Sequence, residues 1–316
     1  MKLNGIHHIS AITGDARRNV DFYAGVLGLR LVAKTVNQDD PGAYHLFYAD
    51  EHGSPGGDLT FFEYPGATRG RPGAGSVHRI VWRVSSPEAL GFWEQRLQGA
   101  AERIGWHGDE LRFDDPEGLG HALIAYDGPD PPLRAQHPDI PAEYALSGFE
   151  GVRAWTGVPD VTAQVLEHLM GATARADGAW ELRGGSRGGW VDVSAHPAGD
   201  WVRQGAGVVH HVAFATNHDD EPEWNRLIGA AGIATSGLVD RHYFQSVYFR
   251  EPGGLLFELA TDGPGFIVDG PEDELGTRII LPPWLEHRRA EVEARLTPIP
   301  DPRAAWGDRP AAGAPA

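Results

Sequence analysis

The sequence predicts an α+β fold built from four βαβββ modules, and three recurrences predict it. Four short stretches start alike: Ile6-His7-His8-Ile9, Val77-His78-Arg79-Ile80, Val152-Arg153-Ala154-Trp155 and Val209-His210-His211-Val212. Each holds β-branched or aromatic residues with a Gly or Ser at or just before its start, which reads as a short strand. Each is followed by a helix-like stretch ending near a glycine, and then by further strand-like runs. The unit recurs at intervals of roughly 60–75 residues, the mark of an internal repeat.

Taken in order, the first helix starts at Asp15, carries Val20, Tyr23 and Leu27 at helical spacing, and stops at Gly28, a C-cap residue. Strands are then expected over 29–35, 45–49 and 59–64. In the second module Ser86-Pro87-Glu88 opens a helix with Pro at its first position, leading through Leu90, Trp93 and Leu97 to Gly99. The third runs from Asp160 through Val165, Leu166 and Leu169 to Gly171, and the fourth from Glu221-Pro222-Glu223 through Trp224, Leu227 and Ile228 to Gly232. The last strands are expected over 237–240, 245–250 and 255–260. The Pro/Gly/Asp-rich stretch 127–132 divides two halves, 1–132 and 145–270, of two modules each. Residues 271–316 form a third part, with a charged helix over 283–296 and a Pro/Ala-rich mobile tail over 297–316.

Composition narrows the function. The 316 residues are 41% hydrophobic with 10 Trp and 12 Phe, enough for a sizeable core. A formal charge of −17 argues against nucleic acid and anionic membrane as partners, because both are polyanions. The absence of Cys excludes disulfides, thiolate metal sites and a Cys nucleophile, and it fits a reducing compartment. The N-terminus runs straight into a strand, and no apolar stretch approaches the roughly 18 residues needed to span a bilayer. A soluble cytoplasmic protein is expected, with self-association left open.

The chemistry concentrates in two adjacent-histidine strands and in Pro252-Gly253-Gly254-Leu255-Leu256-Phe257-Glu258, where a carboxylate closes an apolar run. Two imidazoles and one carboxylate suit a divalent iron with open positions for substrate and oxygen. A single histidine in an apolar strand is ordinarily a satisfied core residue; two at repeat-equivalent positions, plus the strand-end Glu, weigh against that.

The repeat, together with Tyr44-His45-Leu46-Phe47-Tyr48-Ala49-Asp50, Gly53-Ser54-Pro55-Gly56-Gly57, the stretch 237–258 and Leu281-Pro282-Pro283-Trp284-Leu285-Glu286, resembles the vicinal oxygen chelate superfamily. That superfamily includes glyoxalase I, extradiol dioxygenases and bleomycin-resistance proteins, and the motifs look like those of hydroquinone-type ring-cleaving dioxygenases. The resemblance spans about residues 3–265. It implies that two modules join their sheets into a cup whose ligands come from the first and last strands of each.

Aligning the four starts puts His8, Arg79, Ala154 and His211 at the first ligand position. Counting six from the turn proline gives Phe61, Ala122 and Glu258 at the second, and the third module offers Val193. Modules one and four therefore carry the candidate ligands His8, His211 and Glu258, and only their pairing collects all three. Modules two and three are expected to form a metal-free structural lobe. Phe61 stands where a fourth ligand would come from, with Glu63 on the same strand face as its rival. His7 and His210 are expected on the opposite pleat face from the ligands; His7, like its equivalent His78, reads as structural.

Around the metal, Ser10 follows His8 on one face, within reach of a bound molecule. The resemblance implies that Arg241, Tyr248 and His210 surround the substrate, with Arg241 stabilising oxyanion charge and Tyr248 or His210 moving a proton. The family usually has Thr where Ser10 stands. The plainer readings are a surface salt bridge for Arg241 and a half-buried strand tyrosine for Tyr248. Phe61, Tyr243, Phe244 and Phe257 are the expected aromatic lining. The implied activity is Fe(II)-dependent, extradiol-type cleavage of a hydroquinone or catechol by O₂, with Mn(II) as the other metal the ligand set accepts. Two rivals stand beside it: a glyoxalase-type isomerase or lyase, which needs a fourth ligand, and a non-catalytic aromatic-binding protein of the bleomycin-resistance type.

Overall fold

The computed structural model describes residues 1–306. Module one comprises β1 (Ile6–Thr13), α1 (Ala16–Val20) running on into a π turn (Asp21–Val26), β2 (Arg30–Val36), β3 (Tyr44–Ala49) and β4 (Asp58–Glu63). Module two comprises β5 (Ser76–Val84), α2 (Pro87–Arg96), β6 (Glu102–His107), β7 (Glu110–Asp114) and β8 (Gly120–Ala125). Module three has β9 (Phe149–Thr156), α3 (Pro159–Gln164) with its own π turn (Val165–Leu169), and the short β10 (Thr173–Ala174), β11 (Trp180–Glu181) and β12 (Trp190–Ala195). Module four has β13 (Val209–Thr216), α4 (Glu221–Ala230), β14 (Thr235–Asp240), β15 (Gln245–Arg250) and β16 (Leu256–Thr261).

The modules pair one with four and two with three. One sheet has the order β14-β15-β16-β13-β1-β4-β3-β2 and the other β10-β11-β12-β9-β5-β8-β7-β6. Each sheet is joined at its centre by an antiparallel pair of first strands, β1 with β13 and β5 with β9. Within every module the first and last strands run parallel, as in β1 with β4 and β13 with β16.

The glycines before the four first strands have a common cause. Gly5, Gly75, Gly148 and Gly207 all have positive φ, which a residue with a Cβ adopts only under strain. A Cβ on Gly5 would also fall 2.6–2.9 Å from the Gly188 backbone.

The first two helix starts follow their predicted caps: Asp15 accepts from Arg18 N, and Ser86 from Ala89 N with Pro87 behind it. The C-terminal helix is shorter than expected. A 3₁₀ turn (Glu286–Arg288) precedes α5 (Arg289–Arg295). Residues 297–306, expected to be mobile, are held against module one: Tyr44 OH donates to Thr297 O, Lys34 Nζ to Ile299 O, and Arg303 is bidentate on Glu51. The remainder of that stretch, 307–316, lies outside the described residues.

Candidate metal centre

Three strands side by side position the centre. His8 on β1 lies opposite Ala213 on β13, and Ala213 lies beside Glu258 on β16. The small Ala213 leaves the middle of this row open, so the carboxylate reaches towards His8. His211, two residues before Ala213, projects from the same face. His8 Nε2 and His211 Nε2 are 3.3 Å apart, and Glu258 Oε2 lies 3.1 and 2.8 Å from them. All three residues are buried.

The protonation pattern makes this a cation site. His7 Nε2 donates to the Thr261 carbonyl at 3.1 Å, and burial holds the His7 pKa well below its ordinary value, so its Nδ1 is a lone pair. That lone pair accepts His8 Nδ1–H at 2.9 Å, which leaves His8 Nε2 as an acceptor facing the centre. His210 and His211 repeat the arrangement through their Nδ1 atoms at 2.8 Å, with burial pushing His210 down to about 3. Ser246 Oγ occupies Glu258 Oε1, and the buried Oε2 has no hydrogen-bond partner. With both imidazoles neutral, three acceptors thus converge on one point, an arrangement that favours a cation between them. Burial drives the His8 pKa down, but the Glu258 charge more than offsets this and holds it above its ordinary value. The mean separation also fits. Bonds of about 2.1 Å at right angles put ligand atoms about 3.0 Å apart, whereas tetrahedral angles require about 3.4 Å. Among the described residues these three form the group whose donor atoms converge, all within 4.8 Å.

The position for a fourth ligand is one residue from where the motif count put it. The ladder pairs Ser10 with Thr60 as it pairs Ala213 with Glu258, and Ser10 and Ala213 each follow a ligand histidine by two. Thr60, not Phe61, is therefore the equivalent of Glu258, because the turn after Pro55 is one residue shorter than that after Pro252. Thr60 Oγ1 is hydrogen-bonded to Ser10 Oγ at 2.7 Å. Glu63 is engaged elsewhere, accepting Ala16 N at 3.0 Å at the start of α1. The positions equivalent to His8 and His211 in the other sheet hold Arg79 and Ala154. Arg79 donates to His121 O at 2.7 Å, while Arg153 and Arg112 both pair with Glu110. His78 stacks on Trp155 at 3.9 Å.

His8 and His211 face a cleft that Ser10, Arg241, Tyr243 and Tyr248 also line. Arg241 Nε donates to Tyr248 OH at 3.1 Å, and its guanidinium lies 5.1 Å from the Tyr248 ring centroid. Burial and the neighbouring Glu258 raise the Tyr248 pKa, so the phenol keeps its proton at neutral pH. Tyr243 turns its hydroxyl away to Asp269 at 2.6 Å.

Three expected residues lie outside the cleft wall. His210 sits behind His211 rather than facing the cleft. Phe61 packs on Tyr23 at 4.6 Å and Phe257 on Phe214 at 5.4 Å, both on the core side of the sheet, where alternation puts the neighbours of Thr60 and Glu258. Phe62, His45 and Phe47 line the cleft unannounced, and Phe244, which was expected there, lines it too, its ring 4.9 Å from that of His8. The shorter turn after Pro55 was the signal for Phe62. Asp58, beside His8 on β4, is buried with neither oxygen hydrogen-bonded, and burial pushes its pKa up to about 7.

Known proteins resemble this chain in sequence and fold. Residues 5–123 match the model of the Glyoxalase/Bleomycin resistance protein/Dioxygenase superfamily. The "Putative ring-cleaving dioxygenase MhqA" of Bacillus subtilis (strain 168) is 44% identical, over 95% of this chain and 100% of its own. The chlorohydroquinone/hydroquinone 1,2-dioxygenase of Sphingobium indicum is 30% identical, over 92% of this chain and 95% of its own. A crystal structure of a "putative dioxygenase" from Bacillus subtilis superposes with a TM-score of 0.85 at 38% identity, covering 94% of this chain and 98% of that one. The fold and cup define a vicinal-oxygen-chelate protein. The chain belongs to the glyoxalase/bleomycin resistance/dioxygenase superfamily, and its curated relatives are named as ring-cleaving dioxygenases.

Proposed function

We propose that the chain is an Fe(II)-dependent dioxygenase that opens the ring of a hydroquinone, or of a catechol, in the extradiol manner. One observation carries the proposal. The three convergent acceptors occupy a single face, and the equivalent of the fourth ligand is Thr60, so a bound metal keeps open positions toward the cleft. The relative named for chlorohydroquinone and hydroquinone supports a 1,4-diol as the substrate class.

Bound there, Fe(II) would supply adjacent open positions for a diol oxygen and O₂ and a path for electron density between them. The rest is the work of side chains. Tyr248, protonated and adjacent to the triad, is the group that holds a proton for transfer, and the Arg241 hydrogen bond fixes its hydroxyl. Arg241 places positive charge where oxyanion character develops. Phe62 and Phe244 confine the ring, and Gln38 Nε2 donates to Arg241 O at 3.0 Å across the cleft mouth.

A glyoxalase-type reaction needs a fourth protein ligand, which neither Thr60 nor the engaged Glu63 supplies. Anaerobic loading with Fe(II) or with Mn(II), followed by O₂ uptake on adding hydroquinone, methylhydroquinone or catechol, tests the proposal. Uptake stoichiometric with ring opening is expected for the iron form. Protein holding one equivalent of iron that consumes no O₂ with any of the three would defeat it.

A further inference from the structure

One polar track crosses the aromatic wall of the cleft. Ser10 on β1, Thr60 on β4 and His45 on β3 occupy three neighbouring strands. Ser10 Oγ and Thr60 Oγ1 are 2.7 Å apart, and His45 Nε2 lies 3.0 Å from Thr60 Oγ1. The His45 ring lies between Phe47 and Phe62, with centroids at 4.0 and 4.1 Å, so its plane and direction are fixed. Its Nδ1 has no hydrogen-bond partner among the described residues, and the residue lines the cleft that His8 and His211 also face. Phenylalanine would fill the slot between two aromatic rings without the cost of burying a polar ring. Nothing in the proposed chemistry has yet used this imidazole.

We infer that His45 is a specificity-determining residue whose Nδ1 hydrogen-bonds the hydroxyl remote from the metal, so that the site selects a 1,4-diol. The inference rests on the dioxygenase reading and names its substrate class. His211 and His45 stand three strands apart, about 14 Å between backbones, on opposite walls of the cleft. A ring anchored by one oxygen at the triad carries its para oxygen toward the β3–β4 wall, whereas a catechol places both oxygens at the metal. We take Nε2–H as donated to Thr60 Oγ1 and Thr60 O–H as passed on to Ser10, so that Nδ1 presents a lone pair that accepts an O–H from the occupant. Burial, with His8, His211 and Arg241 nearby, holds the His45 pKa well below its ordinary value, so the ring stays neutral and keeps that lone pair.

Anaerobic equilibrium dialysis of the Fe(II)-loaded protein against hydroquinone, its mono-methyl ether 4-methoxyphenol, and catechol tests this. The ether keeps one hydroxyl for the metal and removes the remote donor. Wild type should favour hydroquinone over the ether by about tenfold or more, since a polar site rejects an analogue that leaves its buried group unpaired. His45→Phe should bind the two alike while its catechol affinity stays at the wild-type value. His45→Asn, which keeps an acceptor near the Nδ1 position, should restore part of the preference. Thr60→Val, which frees the imidazole without replacing it, should lose part of it and serves as the second route if His45→Phe does not fold. A wild type without the preference, a His45→Phe variant that retains it, or an equal fall for hydroquinone and catechol would each overturn the inference. In those cases O₂ uptake by wild type on any of hydroquinone, methylhydroquinone or catechol leaves the dioxygenase reading standing, and its absence with all three removes both.

Discussion

At the scale of single residues, the centre is built from histidines in pairs, and in the first pair His7 fixes the tautomer of His8. Replacing His7 by Phe removes the acceptor of His8 Nδ1–H and frees His8 to turn its proton to the centre. Metal affinity should fall by about 10–100-fold, as when other outer partners of ligand histidines are lost, with helix and sheet content unchanged. Titration with Fe(II) or Mn(II), monitored calorimetrically, reads this directly; an unchanged affinity would show that the pairing is incidental. Tyr248→Phe isolates a different role. The ring stays and the proton goes, so kcat should drop by about 10²-fold or more while bound metal stays at the wild-type level. A variant with wild-type kcat would remove Tyr248 from proton transfer. The triad was legible in the sequence because His8 and His211 repeat one motif and Glu258 closes its partner strand. His45 was not legible as a site residue. It belongs to a strand whose other residues read as core, and only the fold puts Thr60 beneath it.

At the scale of elements, the register of parallel pairing decides what a strand end presents. β4 and β16 are equivalent, yet the turn leading into β4 is one residue shorter, so counting from the proline chose Phe61 on the core face instead of Thr60 on the cleft face. A slip of one residue exchanges the two faces of a strand, and no local propensity reveals it. The pairing of modules one and four was legible, because three ligands distributed over two distant modules allow one arrangement that collects them. Register also has a chemical consequence. Thr60→Glu restores a carboxylate at the position equivalent to Glu258 and should convert a three-ligand site into a four-ligand one. The variant should release metal to a chelator several-fold more slowly, and its O₂ uptake should fall by about tenfold or more as an open position closes. Phe61→Glu, aimed into the core beside Tyr23, should instead destabilise the protein without changing metal release. If Thr60→Glu kept full oxygen uptake, the equivalence drawn from the ladder would be wrong.

At the scale of the whole molecule, the two sheets are tied by a chain of hydrogen bonds that runs one way. Trp82 Nε1–H donates to His121 Nδ1 at 3.1 Å, which leaves the neutral ring's proton on Nε2, 3.1 Å from Tyr23 OH, and Tyr23 donates to Asp115 Oδ2 at 2.9 Å. Tyr23 belongs to module one and the other three to module two, so the chain crosses the joint between the lobes. Burial pushes the Asp115 pKa up from 3.8 to about 6 and the His121 pKa down from 6.5 to about 3. The two act on stability with opposite signs. Asp115, raised on folding, favours the native state below its unfolded pKa and loses that contribution as pH rises through about 6. His121, lowered on folding, favours the native state above 6.5 and loses that contribution as pH falls. Between about pH 4 and pH 6 the slopes offset each other, and the joint holds a nearly constant stability through that window. Asp115→Asn breaks the balance, since it removes the acid-side gain and leaves the His121 loss. Beyond any constant cost of the amide facing Glu117 N and Leu119 N, the variant should lose roughly 3 kcal/mol relative to wild type between about pH 7 and pH 4. Urea unfolding of both proteins at several pH values across that range measures the difference. A difference independent of pH would mean that Asp115 carries the same charge in the folded joint as in the unfolded chain throughout that range.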